Sequence, residues 1–179
     1  LCEILPLFGL EVSTVEDVHV LTLFSRIEDA LEFGSFIEFL LPAQKNRPDI
    51  FGNQLVVDIE GKVLETVDKL LVSSTSLAFS DVVEEALSRD ALVIPAHIDR
   101  YANSVLANLG FLPDLRYSAL EAIHLPVHAD THNLAILTGS DAHCLEQVGR
   151  RSCFLEMEEI SYEALKRSLA LPSSVTYHR

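Results

Sequence analysis

Six consecutive apolar residues, Ala91-Leu-Val-Ile-Pro-Ala96, run directly into His97. An uninterrupted apolar run of strand length is what a strand covered on both faces requires. It predicts a buried parallel strand with structure layered on either side. The run also delivers an imidazole at its C-terminal end. The same arrangement recurs along the chain. Leu10–Val12 carries Glu11, and Val18–Phe24 carries His19. Leu134–Thr138 ends in Gly139-Ser140-Asp141-Ala142-His143. Strand ends that gather carboxylates and imidazoles are how α/β proteins of barrel type build multi-metal hydrolytic sites.

Between these runs lie the signals of helices and turns. Ile4–Leu7 and Leu10–Val12 read as one strand broken at Gly9, which permits a kink. Ser25 with Glu28 three residues on forms a capping box, opening a predicted helix from Arg26 to Leu41 that Pro42 ends. Residues 42–53 are polar and read as a loop. Gln54–Ile59 and Lys62–Thr66 predict a hairpin around Glu60-Gly61. Further helices are expected over Ser80–Arg89, over Ala102–Leu109 (stopped by Gly110) and from Ser161 to Ala170. Ala119–Leu125 and Cys153–Met157 read as further strands. Strands alternating with helices give an α/β fold. With 179 residues and no repeat or linker, a single domain over 1–179 is expected.

Composition narrows the function classes. Nearly half of the chain, 49%, is hydrophobic, enough for a packed core. No apolar run is long enough to cross a bilayer, and Leu1–Leu10 lacks the basic start and cleavage site of a signal peptide. The three cysteines, Cys2, Cys144 and Cys153, show no Cys-x-x-Cys spacing, so a reducing cytoplasm is the expected setting and Cys144 the expected buried thiol. The net charge of −14 and the lack of a basic run argue against duplex nucleic acid and anionic membranes as partners. A bound cation inverts the field locally, so a phosphate in a metal pocket remains compatible.

Glu11, His19, His97, Asp141 and His143 therefore form the candidate metal-ligating set. Asp141 and His143 are two apart and share one side of an extended segment. Glu11 suits a bridging role, since one carboxylate offers an oxygen to each of two ions. A tight turn through Ser13–Asp17 returns His19 to the same rim. Asp99 is placed to orient an imidazole, and Arg100 to clamp a phosphate oxygen. Other groups read as structural. His128 and His132 lack the Glu of the metalloprotease pattern and suit a solvated face. His124 reads as a core histidine, Glu156, Glu158 and Glu159 as a solvated rim, Lys45 and Arg47 as loop residues, and His178 as part of a tail.

In order, Gly-Leu-Glu-Val-Ser-Thr, Val-His-Val-Leu, Pro-Ala-His-Ile-Asp-Arg and Gly-Ser-Asp-Ala-His resemble the PHP (polymerase and histidinol phosphatase) family from Gly9 to about Glu159. Asn46–Gly52 resembles a subgroup of stand-alone bacterial members. The resemblance implies a distorted (β/α)7 barrel with two or three ions of zinc, manganese or iron in the complete protein. It implies that Glu11 bridges two ions, that His19 and His97 complete one, that Asp141 serves the other, and that His143 serves a third. The family's opening His-x-His motif does not precede Glu11. The expectation is thus an incomplete barrel missing its first βα units. The expected activity is hydrolysis of a small-molecule phosphate ester or short nucleotide by metal-activated water, with Glu11, Asp141 and Arg100 as the catalytic residues. A non-catalytic metal- or anion-binding module and a polymerase-associated exonuclease-like domain are the alternatives. Oligomeric state is not legible in the sequence.

Overall fold

A computed structural model describes residues 4–177. In chain order the elements are β1 (Phe8–Ser13), β2 (His19–Phe24), α1 (Ile27–Leu40), α2 (Pro48–Phe51), β3 (Leu55–Val57), β4 (Val63–Thr66) and α3 (Phe79–Ser88). Then come β5 (Leu92–Pro95), α4 (Val105–Asn108), β6 (Leu120–Glu121), β7 (Ile136–Leu137), β8 (Cys153–Leu155), α5 (Tyr162–Leu169) and β9 (Val175–Tyr177). Single 3-10 turns lie at Leu145–Gln147 and Pro172–Ser174.

The main sheet has the order β1-β2-β5, and both of its ladders are antiparallel. The expected parallel setting of the Ala91–Ala96 run is therefore corrected. All four residues of β5 are buried, as the run requires. Val93 packs into one apolar cluster, with Val12, Val20, Phe24, Phe33 and Val82. Leu92 and Ile94 pack into the other, with Ala119, Ala135, Tyr162, Leu169 and Val175. An apolar run reports that both faces are covered; it does not report the direction of the neighbouring strand.

β6 and β7 form a parallel pair, and β3–β4 and β8–β9 form antiparallel pairs. The architecture is thus mixed α/β, but among the described residues no closed barrel forms. The strands divide into four small sheets, and the parallel ladder is only two residues deep.

Local chemistry explains some of the element boundaries. Pro42 follows α1, and Leu41 is extended there. The capping box at Ser25 does not form. Arg26 is the cap residue, and its guanidinium takes Glu28 at 3.3 Å instead. Ser161 does cap α5, its hydroxyl accepting from the Ala164 N–H at 3.1 Å. Ile4–Leu7 is not a strand, residues 48–51 form a short helix within the expected loop, and β9 had no sequence signal.

The start of α3 is held from a distance. Ala78 offers no cap, and the Glu16 carboxylate accepts the Phe79 N–H at 2.9 and 3.1 Å. This ties α3 to the β1–β2 turn that carries the site. Glu16→Ala should lower stability by about 1 kcal/mol, as loss of a helix cap does; urea unfolding checks it.

Candidate metal centre

The β1–β2 ladder sets the first two ligands. Ser13 faces His19 and Glu11 faces Leu21 across it, so Glu11 and His19 are diagonal neighbours on one face. The intervening turn closes where expected. Thr14 N–H donates to Val18 C=O at 2.9 Å, Asp17 N–H to Thr14 C=O at 2.9 Å, and Asp17 takes a φ of 58°. β5 brings the third ligand. Ala96 N–H donates to His19 C=O at 3.0 Å, and the next residue, His97, has a φ of 33° that turns it out of the ladder. This left-handed conformation is uncommon for a residue with a Cβ.

Glu11, His19 and His97 meet. Glu11 Oε1 lies 3.2 Å from His19 Nδ1 and 3.3 Å from His97 Nε2. The ligand atoms all lie within 4.8 Å of one another. His97 is 1% exposed. Among the described residues, neither ring nitrogen of His97, nor His19 Nδ1, finds a hydrogen bond of good geometry, although all three atoms are buried. Burial pushes the Glu11 carboxyl up, but the two imidazoles outweigh it and hold it at about 2. The group is therefore an ionised oxygen donor facing two imidazole nitrogens. Buried polar atoms left unpaired cost about 1–3 kcal/mol each. Two His and one Glu are also the protein ligands of a catalytic zinc site that keeps an open position. A divalent cation fits this donor set.

Asp141 and His143 are not in that group. Asp141 is 16% exposed at its side chain and also has a positive φ, 46°. Arg100 Nη1 lies 3.5 Å from its Oδ2, and Arg150 donates to its backbone carbonyl at 3.0 Å. Arg151 holds the carbonyls of Gly139 and Ser140 at 2.9 and 3.1 Å. The His143 side chain is 75% exposed, with Nδ1 3.0 Å from the Asp141 carbonyl.

Sequence reasoning missed Glu121. Its carboxylate accepts the His97 N–H at 3.1 Å, and it feels the charges of His97, Asp141 and Glu11. Burial first, and then the two like charges, push its carboxyl up, against the His97 contacts. The only sequence signal was an acid inside the apolar run Ala119–Leu125.

Asp99 does meet an imidazole, that of His124: it accepts the backbone N–H groups of Ile123 and His124 at 2.7 and 2.6 Å and lies 2.9 Å from His124 Nδ1. Two minor expectations are corrected. His124 is exposed, since β6 ends at Glu121 before reaching it. Cys144 is also exposed, because the chain leaves the sheet after β7. Cys2 and His178 lie outside the described residues.

The fold and this donor set define a mixed α/β protein built around a candidate metal centre. The chain matches none of the curated proteins by sequence. A family described as PHP-associated matches residues 128–170. Two solved structures share the fold. The lesion-specific endonuclease EndoQ from Pyrococcus furiosus is 19% identical with a TM-score of 0.65, over 89% of this chain and 37% of that one. Endonuclease Q in complex with a 27-mer duplex, with an abasic lesion at the active site, is 19% identical with a TM-score of 0.58, over 89% and 38%. The chain thus spans well under half the length of either endonuclease. Family match and fold together bear out the resemblance to the PHP family.

They also correct the exclusion of duplex nucleic acid as a partner. A neighbour in fold is an endonuclease solved on a duplex. Net charge sums over a whole surface, whereas contact with a strand depends on the local field of cations and guanidinium groups at the site. No helix among the described residues is long and apolar enough to cross a membrane.

Proposed function

We propose that this chain carries the metal centre of a metal-dependent phosphoesterase of nuclease kind, with a phosphodiester in nucleic acid, duplex DNA included, as the substrate class. The observation that carries this reading is the meeting of Glu11, His19 and His97, with buried imidazole nitrogens turned to the carboxylate without good hydrogen-bond geometry. When bound there, a divalent ion lowers the pKa of a water towards neutrality and offsets charge on a phosphoryl oxygen. Glu11 supplies the anionic oxygen, and the two imidazoles supply the neutral nitrogens. Arg100, beside Asp141 at the half-buried rim, is the donor placed to meet a phosphate oxygen. In this reading Asp141 and His143 serve further ions in a complete PHP-type barrel. The described strands are a part of that barrel, residues 1–179 belong to one domain, and the protein works in the cytoplasm on zinc, manganese or iron.

A second reading, a module that binds an ion without turnover, is favoured by one observation. Among the described residues only three ligands converge, while Asp141 is engaged by arginines. Assays of the full-length protein with manganese or zinc separate the two. Substrates should include bis(p-nitrophenyl) phosphate, a phosphomonoester, and intact and abasic DNA duplexes. Turnover that disappears on chelation and returns with the metal is expected. Verified metal with no turnover on any substrate would establish the binding module instead.

A further inference from the structure

His97 is held in a left-handed backbone conformation, φ 33°, which persists only where its surroundings enforce it. Glu121 supplies that enforcement twice. Its backbone carbonyl accepts the Ile98 N–H at 2.8 Å, and its carboxylate Oε2 accepts the His97 N–H at 3.1 Å. The carboxylate does so although it is half-buried and shares its surroundings with two other acids, Glu11 and Asp141. A neutral or apolar residue would avoid that repulsion, so the position has a use for the oxygen.

A second observation comes from another element. Glu121 pairs with Leu137 in the β6–β7 ladder, which brings Gly139 alongside it. A Cβ built on Gly139 would fall 2.5 Å from Glu121 Oε1 and 3.7 Å from its Cδ, and would meet no other residue within 4 Å. Gly139 has no positive φ, so its backbone does not require glycine. Apart from Gly139's own chain neighbours, the Glu121 carboxylate is what fills the space above it among the described residues.

We infer that Glu121 is a positioning residue of the ion site: its carboxylate locks His97 in the turn that aims the imidazole at Glu11, and Gly139 is glycine to leave that carboxylate its place. The inference rests on reading Glu11, His19 and His97 as an ion site. It assigns to Glu121 and Gly139 a role in affinity rather than ligation.

Cobalt(II) titration of the full chain tests this, read by visible absorption, with circular dichroism and melting as controls for folding. Glu121→Gln keeps an oxygen acceptor and should bind cobalt within about threefold of wild type. Glu121→Ala should bind about 10- to 100-fold more weakly, the usual loss when support for a ligand is removed. Gly139→Ala should be weakened similarly, because its methyl displaces the carboxylate. In the Glu121→Ala background Gly139→Ala should add nothing. In case Glu121→Ala does not fold, Glu121→Asp combined with Gly139→Ala shortens the carboxylate and should recover most of the affinity. Additive losses, no recovery in the Asp variant, or wild-type binding by Glu121→Ala would each overturn the inference while leaving the ion site standing. A wild-type protein that binds no cobalt overturns the ion site, and the inference falls with it.

Discussion

Gly9→Ala is expected to lower the stability of this protein by about 3 kcal/mol, at the upper end of what overpacking a tight site costs. A Cβ on Gly9 would sit 2.0 Å from the Thr22 carbonyl oxygen, 3.0 Å from its carbonyl carbon and 3.0 Å from Leu23 Cδ2. The obstacle is backbone, so no rotamer change relieves it. β1 must move away from β2, and the ladder from Phe8–Phe24 to Ser13–His19 must yield locally. Glu11 lies two residues along the same strand, so the displacement carries the ligand oxygen off the imidazoles. Chemical denaturation should show the midpoint fall, and cobalt affinity should fall with it. A variant as stable as wild type would mean that β1 approaches β2 less closely than these distances require.

His97→Ala should give the opposite combination. Structural zinc sites with four ligands are worth about 10–16 kcal/mol, or roughly 3 kcal/mol per ligand, so losing one ligand should weaken binding more than a hundredfold. Any metal-dependent turnover should disappear with it. The metal-free protein should nevertheless melt only slightly lower than wild type, since Glu11 keeps its His19 partner. A buried histidine that merely packs or hydrogen-bonds leaves a cavity or an orphaned partner when truncated. His97 instead holds one buried nitrogen, Nδ1, with no hydrogen-bond partner among the described residues, while Nε2 faces the Glu11 carboxylate at 3.3 Å without good hydrogen-bond geometry. Alanine removes the unpartnered nitrogen, and that relief opposes the loss of packing. Calorimetric melting with and without metal distinguishes the cases: a large drop in the metal-free melting temperature would assign His97 a structural role.

The legible parts of the site were those encoded locally. Glu11 and His19 could be paired from sequence because eight residues with a turn between them must fold back within one hairpin. His97 could be added because an apolar run announces a buried strand and sets the next side chain at its end. Asp141 and His143 were legible as chemistry but not as positions. Their distance from the Glu11 group depends on how β7 exits the sheet, and on Arg100, Arg150 and Arg151 gripping the 139–141 segment. Glu121 was invisible because its importance lies in contacts to the N–H groups of His97 and Ile98, which are distant from it in sequence.

Local pattern was thus enough for most of the longer elements, for the burial of β5 on both faces and for three side chains of the candidate metal centre. These depend on side-chain periodicity and turn chemistry within a few residues. Strand direction, the division of the described strands into four small sheets, the exposure of His124 and Cys144, and the contact of Glu121 with His97 were decided only in three dimensions. Each depends on which distant backbone groups find one another, and hydrophobic periodicity carries no information about that choice.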